Sequence, residues 1–122
     1  MTTMNEVQLT SALRQFTGTE TWFRHEIYRH FTYTEGVMFL ATEARAYWLV
    51  DQIFGLQYES EIVKKQCFQF WKLKTENGGG KLICEDGDGN EVFSLTISYT
   101  DFPLKEISLY FTDNVLLLPS EY

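Results

Sequence analysis

Hydrophobic positions recur with two different periods in this chain, and the change of period divides it into halves. From Asn5 to Phe16, Leu9, Leu13 and Phe16 fall at i, i+4 and i+7, the stripe of an amphipathic helix. Asn5 is placed to cap that helix, Gln8 stands three residues on as the second half of a capping box, and Gly18 can end it. The stretch Trp22 to Thr34 fits both periods: Phe23, Ile27 and Phe31 suit a helix, while Phe23, His25, Ile27, Arg29, Phe31 and Tyr33 alternate like a strand. A turn of helix or extended chain followed by a short strand over Arg29 to Thr34 is expected. Thr34 is then an N-cap with Glu35 in the first turn, where the helix dipole favours a carboxylate. Val37, Leu40, Ala41, Ala44, Trp48 and Leu49 continue as one helix, or as two broken near Ala44-Arg45, ending around Gly55 to Tyr58.

The second half alternates with period two. Phe93, Leu95, Ile97 and Tyr99 share one face of a strand, and Ile107, Leu109 and Phe111 share one face of another. Asp113-Asn114 as a two-residue turn pairs Phe111 with Leu116 and Leu109 with Leu118. A turn at Asp88-Gly89 pairs Cys84 with Phe93 and Leu82 with Leu95. Closing the Asn77 to Gly80 loop with Glu76 opposite Lys81 puts Leu73 opposite Cys84 and Trp71 opposite Asp86. Helices first and strands afterwards predict a single α+β domain, residues 1–122, with N-terminal helices packed on one face of an antiparallel meander of about five strands. In that arrangement Phe68, Phe70, Tyr110, Val115 and Leu117 point to the face away from the helices. Soluble monomers rarely leave large apolar patches open, so these five are the candidate interface, for a protein partner or a second copy. The other expectation for that face is that the first helix or the Trp22 to Thr34 segment covers it.

Composition narrows the function classes. The 122 residues carry ten Lys/Arg against 17 Asp/Glu, a net charge of −7, which argues against binding nucleic acid through overall charge. The excess acid is uneven: all of it falls in Glu85 to Tyr122, where Lys105 is the only base, while Lys64, Lys65, Lys72 and Lys74 precede it. In a meander this separates lysines and carboxylates along the sheet. The chain has no apolar run long enough for a membrane span, and its N-terminus lacks the basic start and apolar stretch of a signal peptide, so a cytoplasmic protein is expected. Two cysteines, Cys67 and Cys84, read as reduced thiols.

The motifs of chemistry are sparse. There is no G-x-S-x-G, no glycine-rich phosphate loop followed by Lys-Ser/Thr, no H-E-x-x-H and no Cys-x-x-Cys, so no catalytic residue and no cofactor is assigned. Asp86, Asp88, Asn90 and Glu91 resemble the start of a calcium loop, but Glu91 stands where the sixth-position glycine belongs and a strand follows, so a tight hairpin is the expected reading and no metal site is assigned. His25 is the side chain suited to acid–base work, and Trp22, His25, Tyr28, Tyr47 and Trp48 form the candidate ligand pocket of the alternative reading, an enzyme or small-ligand protein. Asp51, on the helix of Tyr47 and Trp48, reads as solvated or as a cap.

The phrases FTGTE, YTEGV, YWLVDQI, FQFWKL, EDGDGN, YTDFPL and LLPSEY together resemble a family of short bacterial, phage and plasmid proteins classed as a domain of unknown function, from about Leu9 to Tyr122. The resemblance implies a prokaryotic cytoplasmic origin and a mobile-element context, and brings no catalytic or ligand residues with it. The leading expectation is a small acidic interaction or regulatory module that acts through a surface, toward a protein partner or as a homodimer.

Overall fold

The computed structural model describes residues 5–18 and 20–122; residues 1–4, which bear on the reading of the N-terminus, and Thr19 of the FTGTE phrase lie outside them. The first helix, α1 (Glu6–Leu13), is shorter than its apolar stripe implied. Asn5 accepts from the Gln8 N–H and the Gln8 side chain accepts from the Asn5 N–H, the reciprocal box read from the sequence. Trp22 to Thr34 makes two short strands, β1 (Trp22–Arg24) and β2 (Thr32–Thr34), rather than one strand from Arg29. Thr34 caps α2 (Glu35–Glu43) by accepting from the Val37 N–H. Arg45, with φ of 53°, breaks the helical stripe where expected, and α3 (Tyr47–Glu59) and the single turn α4 (Glu61–Lys64) follow.

The sheet has seven strands rather than about five, adding β3 (Phe68–Glu76), β4 (Gly79–Glu85), β5 (Glu91–Ile97), β6 (Glu106–Thr112) and β7 (Val115–Leu117). Their order is β1-β2-β7-β6-β3-β4-β5, mostly antiparallel, with β2 and β7 parallel. The meander expectation is therefore corrected. After β5 the chain returns to the other side of β3, and β7 then carries the β1–β2 ribbon at the sheet's far end.

Register divides the same way. A two-residue turn at Asp113-Asn114, both with positive φ, gives Phe111↔Leu116 as read from the sequence; the β4–β5 hairpin gives the expected Leu82↔Leu95 and Cys84↔Phe93, though through a longer loop than a two-residue turn at Asp88-Gly89, closed by the Asp86 N–H donating to the Asn90 carbonyl. Leu109 has no partner in β7, which ends at Leu117. Between β3 and β4 the turn is Asn77-Gly78, both left-handed, so Glu76 pairs with Gly79, Leu73 with Leu82 and Trp71 with Cys84. The expected pairing is two residues out, because only Gly78 of the three glycines is in the turn and Gly79 and Gly80 belong to β4. An even slip leaves every side chain on its predicted face.

Helix side chains Leu9, Val37, Leu40, Leu49, Ile53, Phe54 and Val63 cluster with Trp71, Leu73, Leu82, Cys84, Leu109, Phe111 and Leu116 of the sheet. Those sheet residues define the covered face; Phe68, Phe70, Lys72, Lys74, Lys81, Ile83 and Tyr110 alternate with them on the open face. The sheet order also corrects the expected charge polarity. β3 is central, so its lysines are flanked by acids: Lys72 meets Glu85 at 3.2 Å, and Lys74 pairs in register with Glu106 as well as with Lys81.

Candidate functional site

His25 follows β1 and is buried between Tyr28 and Phe54, with ring centroids at 5.1 and 5.4 Å. Its Nε2 lies 2.6 Å from Asp51 Oδ1 on α3, and its Nδ1 lies 3.0 Å from each of the Ile27 and Tyr28 backbone nitrogens. Backbone N–H groups can only donate, so Nδ1 is the acceptor, and Nε2 carries the proton that it gives to Asp51. Both ring nitrogens are engaged. His25 thus braces the bend between β1 and β2 against α3 and holds no free lone pair for a proton from a ligand.

A cavity of about 400 Å³ lies beside this pair, lined by residues including His25, Glu26, Tyr33, Met38, Tyr47 and Asp51. Burial pushes the Tyr33 phenol up from its ordinary value, with smaller contributions from Tyr47, Glu26 and Asp51, so this wall presents a hydroxyl and no phenolate. Of the five residues proposed for a pocket, the structure brings His25 and Tyr47 to this cavity. Tyr28 faces elsewhere, stacked on Tyr58 at 5.5 Å; Trp48 is half-buried against the core; Trp22, on β1, is exposed. Tyr47 Oη is itself held by Thr42 Oγ1 and Met38 Sδ, each at 3.0 Å.

The open face gathers the other set. Phe68, Phe70, Tyr110, Val115 and Leu117 lie on that one face through the pairings Phe68↔Thr112, Phe70↔Tyr110, Thr112↔Val115 and Tyr110↔Leu117. Tyr110 sits 5.0 Å from the rings of both Phe68 and Phe70. Tyr122 stands edge-on over Phe68 and Tyr110 at 5.7 and 5.4 Å, yet stays 74% exposed. Neither α1 nor the 22–34 segment covers these rings: Leu9 and Leu13 of α1 are in the core cluster, and β1 and β2 are strands of the sheet itself.

The Asp86 loop is a hairpin held by its own acid. Asp86 accepts from the Asn90 and Asp88 N–H groups and from the Asn90 side chain, contacts that hold its carboxyl below the usual carboxylate range, the Asn90 N–H contributing most. The predicted Asp86–Glu91 opposition is replaced by Glu85↔Glu91 across a bulge, and Glu85 is the acid that reaches Lys72. Among the described residues, no three His, Cys, Asp or Glu side chains stand together to hold a metal, and no helix is long and apolar enough to cross a membrane. Cys67 is exposed and Cys84 buried, both free. Since Cys84 pairs with Trp71, Cys67 lies four residues from its partner rather than six.

Two polar clusters went unread in the sequence. Glu121, in the short 3-10 turn after β7, is buried; its carboxylate accepts from Thr34 Oγ1 at 2.6 Å, from the Leu118 N–H at 3.0 Å and from the Gly36 N–H at 3.2 Å. It therefore completes the cap of α2 from 87 residues away. Glu35 beside it accepts from the Glu20 and Thr21 N–H groups, so FTGTE, YTEGV and LLPSEY meet at the start of one helix. The second cluster is Gln57 on α3 and Gln69 on β3, which exchange amide hydrogen bonds of 2.8 Å in both directions, with Trp71 Nε1 donating to Gln69. Single glutamines on apolar stripes were the only advance sign of it. No match was found among curated proteins or among solved structures. Over residues 7–122 the chain matches the family of unknown function DUF6876, and it belongs to that family.

Proposed function

We propose that this protein acts by contact, as an interaction module that seats a polypeptide partner on the open face of its sheet. The observation that carries this reading is the ring cluster of Phe68, Phe70, Tyr110 and Tyr122, set on a face whose other positions include Lys72, Lys74, Lys81 and Glu106. Aromatic side chains at the centre with charged groups around them are the usual composition of a protein–protein contact. The engaged nitrogens of His25 weigh the same way, since they leave no imidazole lone pair free in the cavity near Asp51. The resemblance to bacterial, phage and plasmid proteins supports a bacterial cytoplasm as the setting in which to look for the partner.

A photoreactive phenylalanine analogue in place of Phe70, compared with the same group in place of the exposed Ile62 on α4, tests the reading in cells. A discrete polypeptide adduct from position 70 alone is expected. No adduct from position 70, or the same adducts from both positions, overturns it. The small-ligand reading keeps the cavity of about 400 Å³ and the Tyr33 and Tyr47 hydroxyls, and it predicts that Tyr33→Phe changes ligand binding while position 70 is silent.

A further inference from the structure

The two edges of the sheet are built differently. β1 is three residues long, too short to template a partner, and it carries Arg24. β5 has seven residues and, among the described residues, pairs only with β4. Its first residue, Glu91, is charged, but from Val92 to Ile97 it reads VFSLTI, with no charge and no proline, so along that length it lacks the lysines, prolines and inward charges with which natural proteins blunt an edge. A bulge does occur, but at its first residues, between Cys84 and Glu85 of the neighbouring strand.

Hydrogen-bond parity identifies which backbone groups of β5 face outward. Glu76 and Gly79 flank a two-residue turn and so exchange both of their hydrogen bonds, as do Lys74 and Lys81, and Lys72 and Ile83. The Thr75 N–H accordingly points the other way, to the Lys105 carbonyl. On β4 that leaves Gly80, Leu82 and Cys84 to bond with Ile97, Leu95 and Phe93. The N–H and C=O groups of Ser94 and Thr96 therefore point away from the sheet, among the described residues without a backbone partner.

We propose that β5 pairs antiparallel with β5 of a second copy, centred on Leu95. In this register Ser94 faces Thr96 of the other copy, and each pair exchanges the N–H and C=O groups that parity leaves outward. Leu95 faces Leu95, and Phe93 faces Ile97. These three side chains lie on the covered face and are only half-buried in the single chain. The pairing brings the half-buried apolar edge of each copy against its equivalent, so the strand is complementary to itself in backbone and side chains at once. It joins two seven-stranded sheets into one and leaves the rings of both open faces exposed, so it is independent of the partner seated there.

Light scattering across a dilution series reads the result. Wild type is expected at twice the 14.3 kDa chain mass. Ser94→Pro removes an outward N–H at an edge position, where proline is tolerated, and is expected at the single-chain mass with unchanged circular dichroism. A residue pair facing across a non-hydrogen-bonded position has Cα atoms about 4.5 Å apart, within disulfide range, so Leu95→Cys in a Cys67→Ser background is expected to give a covalent dimer on oxidation and Ser94→Cys is not. A wild type of single-chain mass throughout overturns the proposal, as does the opposite cross-linking pattern. Tyr110→Lys separates the two readings: dimer mass unchanged is expected, whereas loss of the dimer assigns self-association to the open face and overturns the β5 pairing while leaving the contact function standing.

Discussion

Two carboxylates tie distant parts of this chain together, and they do so in opposite surroundings. Glu121 is buried and receives a hydroxyl and two backbone N–H groups, from Thr34, Leu118 and Gly36. Asp51 receives His25 Nε2–H at a comparable 2.6 Å, but its side chain is 58% exposed. Length of the bond does not separate them; what lies behind it does. Around Glu121 every donor has been taken from water and has that carboxylate to satisfy it, whereas water can replace Asp51 for His25 at little loss. The first arrangement is what holds the start of α2, and the second is a brace at the rim of a cavity.

The sharpest way to break this contrast is Glu121→Ala, which leaves three buried donors without that acceptor. Unsatisfied buried groups cost about 1–3 kcal/mol each, so a loss of about 3 kcal/mol or more is expected in urea unfolding. A loss under about 1 kcal/mol would show that water enters the clasp freely. Next comes Gly36→Ala. A Cβ there would lie 2.5 Å from Glu121 Oε1 and 2.6 Å from Leu118 Cδ1, and overpacking of this kind costs about 1–3 kcal/mol. If the cost acts by displacing Glu121, the double variant with Glu121→Ala should lose less than the two single losses added.

Asp51→Asn is expected to change stability by less than about 1 kcal/mol, because the amide oxygen can still accept from His25 and the pair is half in water. The smallest effect belongs to a third carboxylate, Asp86, which is partly exposed yet held below its ordinary range by its own hairpin. A depressed carboxyl stabilises the fold above its unfolded value and loses that contribution as pH falls through the folded value. The protection of the Asp88 and Asn90 amides, taken relative to their intrinsic exchange rates at each pH, should therefore fall on acidification below the ordinary Asp range, and Asp86→Asn should abolish that fall in protection.

What the sequence disclosed was local. The Asn5–Gln8 box, the Thr34 cap, the break at Arg45 and the Asp113-Asn114 turn each depend on residues within four positions of one another, and all four stand in the structure. The faces of the strands were legible for the same reason, since alternation is a nearest-neighbour property; Phe68, Phe70 and Tyr110 came out together even though the β3–β4 register was two residues out. Strand order was not legible. β7 is three residues long and its neighbour β2 lies more than 80 positions earlier, a distance at which periodicity carries no information. The candidate pocket residues come together only in part, for the same reason. Aromatic residues close in sequence were grouped, but Tyr28 turned to Tyr58 and only His25 and Tyr47 reached the cavity.

The parallel pairing of β2 with β7 also sets an order of events in folding. The hairpins β3–β4, β4–β5 and β6–β7 close short loops, but Thr32 meets Val115 only after the 82 residues between them have been enclosed. The length-dependent part of that closure entropy is about 4 kcal/mol, unfavourable until β7 is already laid against β6. The β1–β2 ribbon and the start of α2 should therefore be among the last parts to acquire protection in a refolding time course, despite coming first in the chain.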